Sequence, residues 1–117
     1  MLFVIIANNK VIGRVGVYKI DKQNKVGEIG YWLAENQQRK GIVIESCKAI
    51  ISLCFSELQI NRIEIKCGTE NFKSQLIPEK LNFTKEGVMK QAELLYDKFI
   101  DLNIYALVKA NYRKSEI

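Results

Sequence analysis

The spacing of apolar residues changes from a strand pattern to a helix pattern and back again in the first half of this chain. Val26–Leu33 is typical of a strand, and over Gly41–Leu58 the apolar positions recur every three or four residues, as on one face of an amphipathic helix. After a polar break, the alternation in Arg62–Cys67 indicates another strand. Strand, helix and strand form a βαβ unit, whose two strands we expect to be parallel and connected right-handedly.

More strands are predicted on both sides of this unit. Leu2–Ala7 and Lys10–Ile20 are rich in valine and isoleucine, and the asparagines between them favour a hairpin. With Val26–Leu33 they should form an antiparallel meander. Thr84–Leu95 and Phe99–Val108 are two further strands at the other end of the chain. The expected fold is therefore an α/β mixed sheet.

A short helix is predicted between these last strands and the βαβ unit, over Phe72–Leu81. Asn71 is a suitable N-cap, and Asn82 is suited to the left-handed position that follows a helix. Pro78 should distort the helix, because proline lacks an N–H and its ring clashes with the preceding turn. The complete order is then β-β-β-α-β-α-β-β, with chemistry expected where the parallel strands end.

Composition excludes several kinds of site. The chain has 117 residues and no histidine, so neither a Ser-His-Asp triad nor a Cys-His pair can form. Its cysteines, Cys47, Cys54 and Cys67, lack the spacing of zinc ligands, and we expect no metal. Cys47 and Cys54 should be small core residues of one helix face. Leu2–Ala7 is too short for a signal or spanning segment, so residues 1–117 are interpreted as a single cytoplasmic domain.

The net charge of +5 suggests an acidic partner. A nucleic acid, a phosphorylated cofactor and an acidic protein would all satisfy it. The basic residues are scattered along the chain, without the aromatic and basic pattern of an RNA-binding sheet. We therefore expect no direct nucleic-acid partner and no membrane partner, and charge alone leaves the other choices open.

The loop before the long helix carries the first candidate site. Free N–H groups at the start of a helix, together with the positive end of its dipole, can bind an anion. Gly41 allows close approach of the backbone, and Arg39 and Lys40 add positive charge. Judged from these residues alone, an ordinary solvated turn is the commoner interpretation.

The segment Gln38–Val43 also resembles the Gln/Arg-x-x-Gly-x-Gly/Ala signature of the GNAT superfamily of acetyl-CoA-dependent N-acetyltransferases. Two positions depart from it, since Val43 replaces a small residue and Arg39 stands where relatives often have glycine. The strand end Ile29–Leu33 and the element Asn71–Phe83 match as well. Their order and spacing are similar to the ribosomal-protein acetyltransferase (Rim) branch.

Within that branch, Ile65–Cys67 and Met89–Glu93 make the chain most similar to the ribosomal-protein-serine acetyltransferase group. Family members usually begin with one more strand and two helices, which cover one wall of the acceptor groove. The resemblance therefore implies an N-terminally truncated GNAT (acyl-CoA N-acyltransferase) fold. It also implies that Leu2–Ala7 lies at a sheet edge, where unpaired backbone groups favour a homodimer or larger assembly.

The resemblance further implies which residues bind the cofactor. Backbone N–H groups at the start of the long helix would hold the pyrophosphate of coenzyme A, while the pantetheine arm would lie along the preceding strand end. A main-chain N–H near Leu33 would polarise the thioester carbonyl. The cofactor-binding residues so implied are Trp32, Leu33, Gln38, Arg39, Lys40, Gly41, Ile42, Val43, Asn71 and Ser74. For Asn71, helix capping is an equally good explanation.

Two residues acquire catalytic roles from the same resemblance. Acetylation needs a neutral amine, whereas an α-amino group has a pKa of about 8, so a general base is required. Glu93 matches the family's base and Ser74 its acid. Alternatively, Glu93 is a solvated strand carboxylate, and Ser74 makes local hydrogen bonds or binds the thiol. Cys67 has no identifiable activating group, so an acetyl-cysteine intermediate is not expected.

Two functions remain in competition at this point. The first is direct acetyl transfer in a ternary complex, from acetyl-CoA to a primary amine, with the N-terminus of an acidic ribosomal protein as the implied acceptor and small amines as an alternative. The second is a coenzyme-A-binding or assembly module with weak or no catalysis. The match at Glu93 and Ser74 favours the enzyme, whereas the absent N-terminal wall favours the module.

Overall fold

The computed structural model describes residues 2–7, 10–33 and 40–113. These form strands and helices in the order predicted, ending in a short 3-10 turn, with bounds β1 (Leu2–Ala7), β2 (Lys10–Asp21), β3 (Val26–Leu33), α1 (Lys40–Ser56), β4 (Arg62–Gly68), α2 (Phe72–Lys80), β5 (Thr84–Leu95) and β6 (Lys98–Val108). The predicted α/β mixed sheet is thus confirmed, and most element ends agree to within two residues.

The strands form one sheet in the order β1-β2-β3-β4-β6-β5. The first three make the expected antiparallel meander, and β3 pairs with β4 in the parallel direction, as predicted for the βαβ unit. Their pairing is brief: it runs from Val26–Arg62 to Glu28–Glu64. Beyond that point the two strands diverge and leave a gap between their carboxyl ends. Ligands of α/β sheets commonly bind at such a place.

Both helices pack on one face of this sheet. Alternate residues of β4 point into that core, and Ile63, Ile65 and Cys67 are each at most 3% exposed. Cys47 and Cys54 are fully buried on α1, as predicted. Burial raises the pKa of the Cys47 thiol to about 12 and, as the main cause, that of the Cys54 thiol to about 11. Both thiols stay protonated near neutral pH and contribute packing.

The ends of α2 follow the sequence prediction. The side chain of Asn71 accepts a hydrogen bond from the Ser74 N–H at 3.2 Å, which satisfies one of the free donors of the first turn. Asn82 adopts the predicted left-handed conformation, with φ of 63°. Pro78 does not interrupt the helix. Because proline has no N–H, the carbonyl of Ser74 lacks its usual helical hydrogen-bond donor.

Among residues 2–7, 10–33 and 40–113, no helix is long and apolar enough to cross a membrane.

Candidate functional site

Three polar side chains meet in the gap where β3 and β4 diverge. The hydroxyl oxygen of Tyr31, on β3, lies 3.6 Å from Sγ of Cys67, on β4. Ser74, in the first turn of α2, donates from Oγ to the Tyr31 hydroxyl at 3.1 Å and lies 3.4 Å from Cys67 Sγ. We call Tyr31, Cys67 and Ser74 the gap cluster. It joins both parallel strands to the helix that follows them.

The gap cluster depends on a proline one turn away. In an α-helix the N–H of residue 78 would bind the carbonyl of residue 74, but Pro78 has no N–H. The Tyr31 hydroxyl donates to that Ser74 carbonyl at 2.8 Å and so replaces the missing donor. Burial, and next the electrostatic interaction with the neighbouring Cys67, raise the pKa of Tyr31 well above its usual value. The hydroxyl therefore remains a neutral donor.

Tyr31 is a member of the gap cluster that the sequence analysis did not single out. Its ring does pack against the core, as its place on the buried face of β3 suggests, and nothing in the local sequence shows the polar role of its hydroxyl. The available signal was Pro78, which stands four residues after Ser74 and leaves that carbonyl in need of a donor. Finding the donor required knowing that β3 lies beside α2.

Glu93 lines a different part of the site, a groove at the carboxyl end of β4 with a volume of about 450 Å³. Asn71 lines it too. The remaining walls are two further carboxylates, a lysine, apolar side chains and the chain at the end of β4, namely Glu70, Asp101, Lys98, Leu95, Phe99, Ile100, Gly68 and Thr69. With more carboxylates than cations and an apolar wall, such a groove suits a cationic group that carries an apolar neighbour.

A bulge in β5 presents Glu93 to this groove. The pairing of β5 with β6 shifts between Met89 and Glu93, and Gln91 has a left-handed φ of 47°. Asp101, on β6, accepts the Gln91 N–H at 2.8 Å and lies 3.4 Å from Lys90 Nζ. The Gln91 bond is the main cause that lowers the pKa of Asp101. Asp101 thereby anchors the bulge two residues before Glu93.

The structure thus divides the residues predicted for catalysis between two neighbouring sets. Ser74 belongs to the gap cluster, and Glu93 belongs to the groove. Asn71 connects them, because it lines the groove and its side chain binds the Ser74 N–H. Among the residues that the structure describes, no three side chains of the kinds that bind metals are grouped to hold an ion.

The predicted pyrophosphate site is described in part. Lys40, Gly41, Ile42 and Val43 begin α1, whereas Gln38 and Arg39 lie outside the described residues. A Cβ added to Gly41 would meet no described residue within 4 Å, so on that side the described part of the chain leaves the first turn of α1 open to a ligand. Val43 is 3% exposed and packs in the core. Its departure from the small residue of the signature is therefore accommodated inside the protein.

Trp32 and Leu33 end β3 beside the gap, where the sequence analysis places the pantetheine arm. The Trp32 side chain is 54% exposed and borders a surface depression with Arg14, Tyr18, Gly30 and Tyr31. Alternate residues of a strand point to opposite faces, and the helices cover the face of Tyr31, so Trp32 lies on the opposite, exposed face of β3.

Comparisons with known proteins find relatives of this chain in sequence and in structure. A family profile for "Acetyltransferase (GNAT) domain" matches residues 1–84. The chain is 36% identical over 107 residues to the ribosomal-protein-serine acetyltransferase of Escherichia coli (strain K12), covering 92% of this chain and 60% of that protein. The chain therefore spans about 60% of the length of this relative.

Solved structures give the same result in three dimensions. One is RimL, a ribosomal L7/L12 alpha-N-protein acetyltransferase in complex with coenzyme A, with a TM-score of 0.84 at 36% identity, over 92% of this chain and 60% of RimL. Another is the microcin C7 self-immunity acetyltransferase MccE in complex with acetyl-CoA and AMP, with a TM-score of 0.84 at 37% identity, over 92% and 60% of the two chains.

Proposed function

Since the chain belongs to the GNAT acetyltransferase family, we propose that it transfers the acetyl group of acetyl-CoA to a primary amine in a ternary complex. The observation that carries the proposal is that Asn71 connects Glu93 with Ser74: it lines the groove together with Glu93, and its side chain accepts the Ser74 N–H. A base and an acid joined through one residue are suited to serve a single reaction site.

Acetyl-CoA supplies an activated acyl group when it is bound. We assign its pyrophosphate to the backbone N–H groups of residues 38–43, among which the start of α1 offers free donors and the positive end of a helix dipole. Its pantetheine arm is assigned to the end of β3, at Trp32 and Leu33. The complexes of RimL and MccE support this choice of cofactor. We propose no metal.

The sulfur of the coenzyme is assigned to the gap cluster. In the RimL complex the coenzyme forms a disulfide with a cysteine of that protein. Here Cys47 and Cys54 lie on the core face of α1, and Cys67 is the cysteine beside the gap. Ser74 Oγ, at 3.4 Å from Cys67 Sγ, is then within reach of a sulfur atom in that place. Ser74 is proposed to donate its hydrogen to the leaving thiolate.

Glu93 is proposed as the base that removes a proton from the incoming amine. An α-amine has a pKa of about 8 and is mostly protonated at neutral pH, so the carboxylates of the groove would first attract it as a cation. Glu70 and Asp101 contribute to that attraction, and Asp101 also holds the bulge that carries Glu93. A main-chain N–H near Leu33 would stabilise the developing oxyanion.

We propose the N-terminal α-amine of an acidic ribosomal protein as the acceptor. The relative from Escherichia coli and RimL act on ribosomal proteins, and the net charge of +5 favours approach of an acidic protein. The groove supplies a local excess of carboxylates for the amine itself. Small amines are the second candidate, since MccE is a comparably similar relative with a different role.

The acceptor is tested by thiol release from acetyl-CoA. We expect release in the presence of a peptide with the N-terminal sequence of a ribosomal stalk protein, and none with the same peptide N-terminally blocked. Equal rates with small amines would favour the second candidate. Coenzyme A binding without release on any amine would show instead a binding or assembly module, and would contradict the proposed activity.

We also propose that residues 1–117 act as one cytoplasmic domain that assembles through β1. One buried cluster takes residues from β2, β3, β4 and β6 and from both helices, and all three cysteines are free thiols, as is usual in a reducing compartment. β1 lies at an edge of the sheet, and such an edge pairs readily with a second chain.

Light scattering after size exclusion tests this assembly. We expect a homodimer, with twice the mass of the 13.5 kDa chain, or a larger oligomer. Proline should dissociate the oligomer when it replaces residues of β1 whose backbone N–H groups face away from β2. Proline has no N–H to donate to a strand of the second chain. A monomer at high concentration would contradict the proposal.

A further inference from the structure

We propose that Tyr31 is a positioning residue of the acetyl-transfer site, one that holds the Ser74 hydroxyl in place across the gap between β3 and β4. The inference rests on the proposed function and adds a residue that acts through Ser74. Tyr31 and Ser74 are 43 positions apart in the chain, so the contact exists only because β3 and α2 are packed together.

Two hydrogen bonds join Tyr31 to the same residue. The Tyr31 hydroxyl donates to the Ser74 carbonyl at 2.8 Å, and Ser74 Oγ donates to the Tyr31 oxygen at 3.1 Å. A phenol has one hydrogen to donate. Because that hydrogen is used on the carbonyl, the Tyr31 oxygen acts toward Ser74 Oγ as an acceptor. Backbone and side chain of Ser74 are thus fixed together.

Loss of the Tyr31 hydroxyl would change the orientation of Ser74. Within the gap cluster, the remaining partner of Ser74 Oγ is Cys67 Sγ, at 3.4 Å. The serine hydroxyl would turn toward that sulfur and leave the orientation in which it donates to the Tyr31 oxygen. Small displacements of an aligned group are costly, with losses of about 100-fold for a shift of about 1 Å. Tyr31 therefore matters for turnover as well as for stability.

The contributions of Tyr31 to turnover and to stability can be separated by a second substitution, at Pro78. Tyr31→Phe removes both hydrogen bonds to Ser74. Adding Pro78→Ala restores an N–H at position 78, which can bind the Ser74 carbonyl in the ordinary helical way. The double variant therefore regains the support of the carbonyl and still lacks the acceptor for Ser74 Oγ. If Tyr31 positions Ser74, stability returns without activity.

The kinetic experiment compares Tyr31→Phe, Ser74→Ala and the pair combined. We expect Tyr31→Phe to lower kcat by roughly tenfold or more with little change in KM for acetyl-CoA. The combined variant should be no slower than Ser74→Ala alone, because Tyr31 acts through Ser74. Fully additive losses would overturn the proposal. Tyr112→Phe is the control: it also removes a buried tyrosine hydroxyl, which has no hydrogen-bond partner in the described structure, and its kcat should be unchanged.

The Pro78 experiment measures the melting temperature and kcat of the double variant. In the Tyr31→Phe, Pro78→Ala variant we expect the melting temperature to rise toward that of the wild type while kcat stays low. Recovery of both would show that Tyr31 only supports α2, and would overturn the positioning role.

A crystal structure of Tyr31→Phe decides the question independently of turnover. We expect Ser74 Oγ to move toward Cys67 Sγ, and an unchanged Ser74 side chain would overturn the proposal. If the wild type binds coenzyme A but acetylates no amine, the proposed function fails, and the position of Ser74 in this variant still confirms or overturns the role of Tyr31.

Discussion

Gly41→Val is expected to abolish coenzyme A binding while the protein remains folded. An added Cβ at this position meets none of the residues that the structure describes within 4 Å, so the substitution introduces no clash with them. Its branched side chain would instead occupy the space over the first turn of α1, where a pyrophosphate must approach the backbone closely. Titration calorimetry with coenzyme A should show a loss of affinity of about 100-fold or more, since each charge-assisted bond is worth roughly 1.5–3 kcal/mol.

Gly87→Val is the matched control for this experiment. A Cβ at Gly87 also meets nothing within 4 Å, and Gly87 lies on β5, the edge strand opposite β1. The same chemical change there should leave the affinity for coenzyme A unaltered. Unchanged affinity in Gly41→Val, with the control behaving as expected, would remove the assignment of the pyrophosphate site to the start of α1.

Glu93→Gln is expected to remove most of the turnover and to leave coenzyme A binding intact. The glutamine amide has nearly the shape of the carboxylate but accepts no proton, and general base catalysis contributes about 10²–10⁴-fold. Without a base, the reaction depends on amine that is already neutral. The residual rate should therefore rise with pH through about 8, the pKa of a free α-amine.

Two further variants make this result specific. Glu57→Gln changes the charge equally at an exposed position just after α1, and its turnover should equal that of the wild type. Glu70 lines the same groove as Glu93. Glu70→Gln should therefore raise KM for the acceptor, with a smaller effect on kcat. Equal losses of kcat in Glu70→Gln and Glu93→Gln would show that the groove acts only through its total charge.

The order of elements could be predicted because periodicity is local. The change from alternation to a spacing of three or four residues, and back, defines β3, α1 and β4, and side-chain preferences define the capping by Asn71 and the backbone of Asn82. Each of these depends on residues within a turn or two of the chain. Tertiary packing then follows from burying one face of each element.

The internal geometry of the site could not be predicted in the same way. The bulge before Glu93 is held by Asp101, 10 positions from Gln91, and the contact of Tyr31 with Ser74 spans 43 positions. Such contacts depend on strand register and on the distance between a strand and a helix, which hydrophobic pattern alone does not determine. The resemblance to a family supplied Glu93 and Ser74, and the contacts that support them required coordinates.

The brief pairing of β3 with β4 has a consequence for how the domain holds together. Three residue pairs are the only direct ladder described between the meander β1–β2–β3 and the strands β4, β6 and β5. Further contacts between the halves come from the helices, the core, the ion pair of Lys66 with Glu28 and the hydrogen bond of Tyr31 to the Ser74 carbonyl. Proteins open in cooperative units that often coincide with supersecondary motifs, and we expect the two halves to be such units. A ligand bound in the gap would contact both halves. Its binding would therefore raise the free energy needed to separate them, and more so at higher ligand concentration.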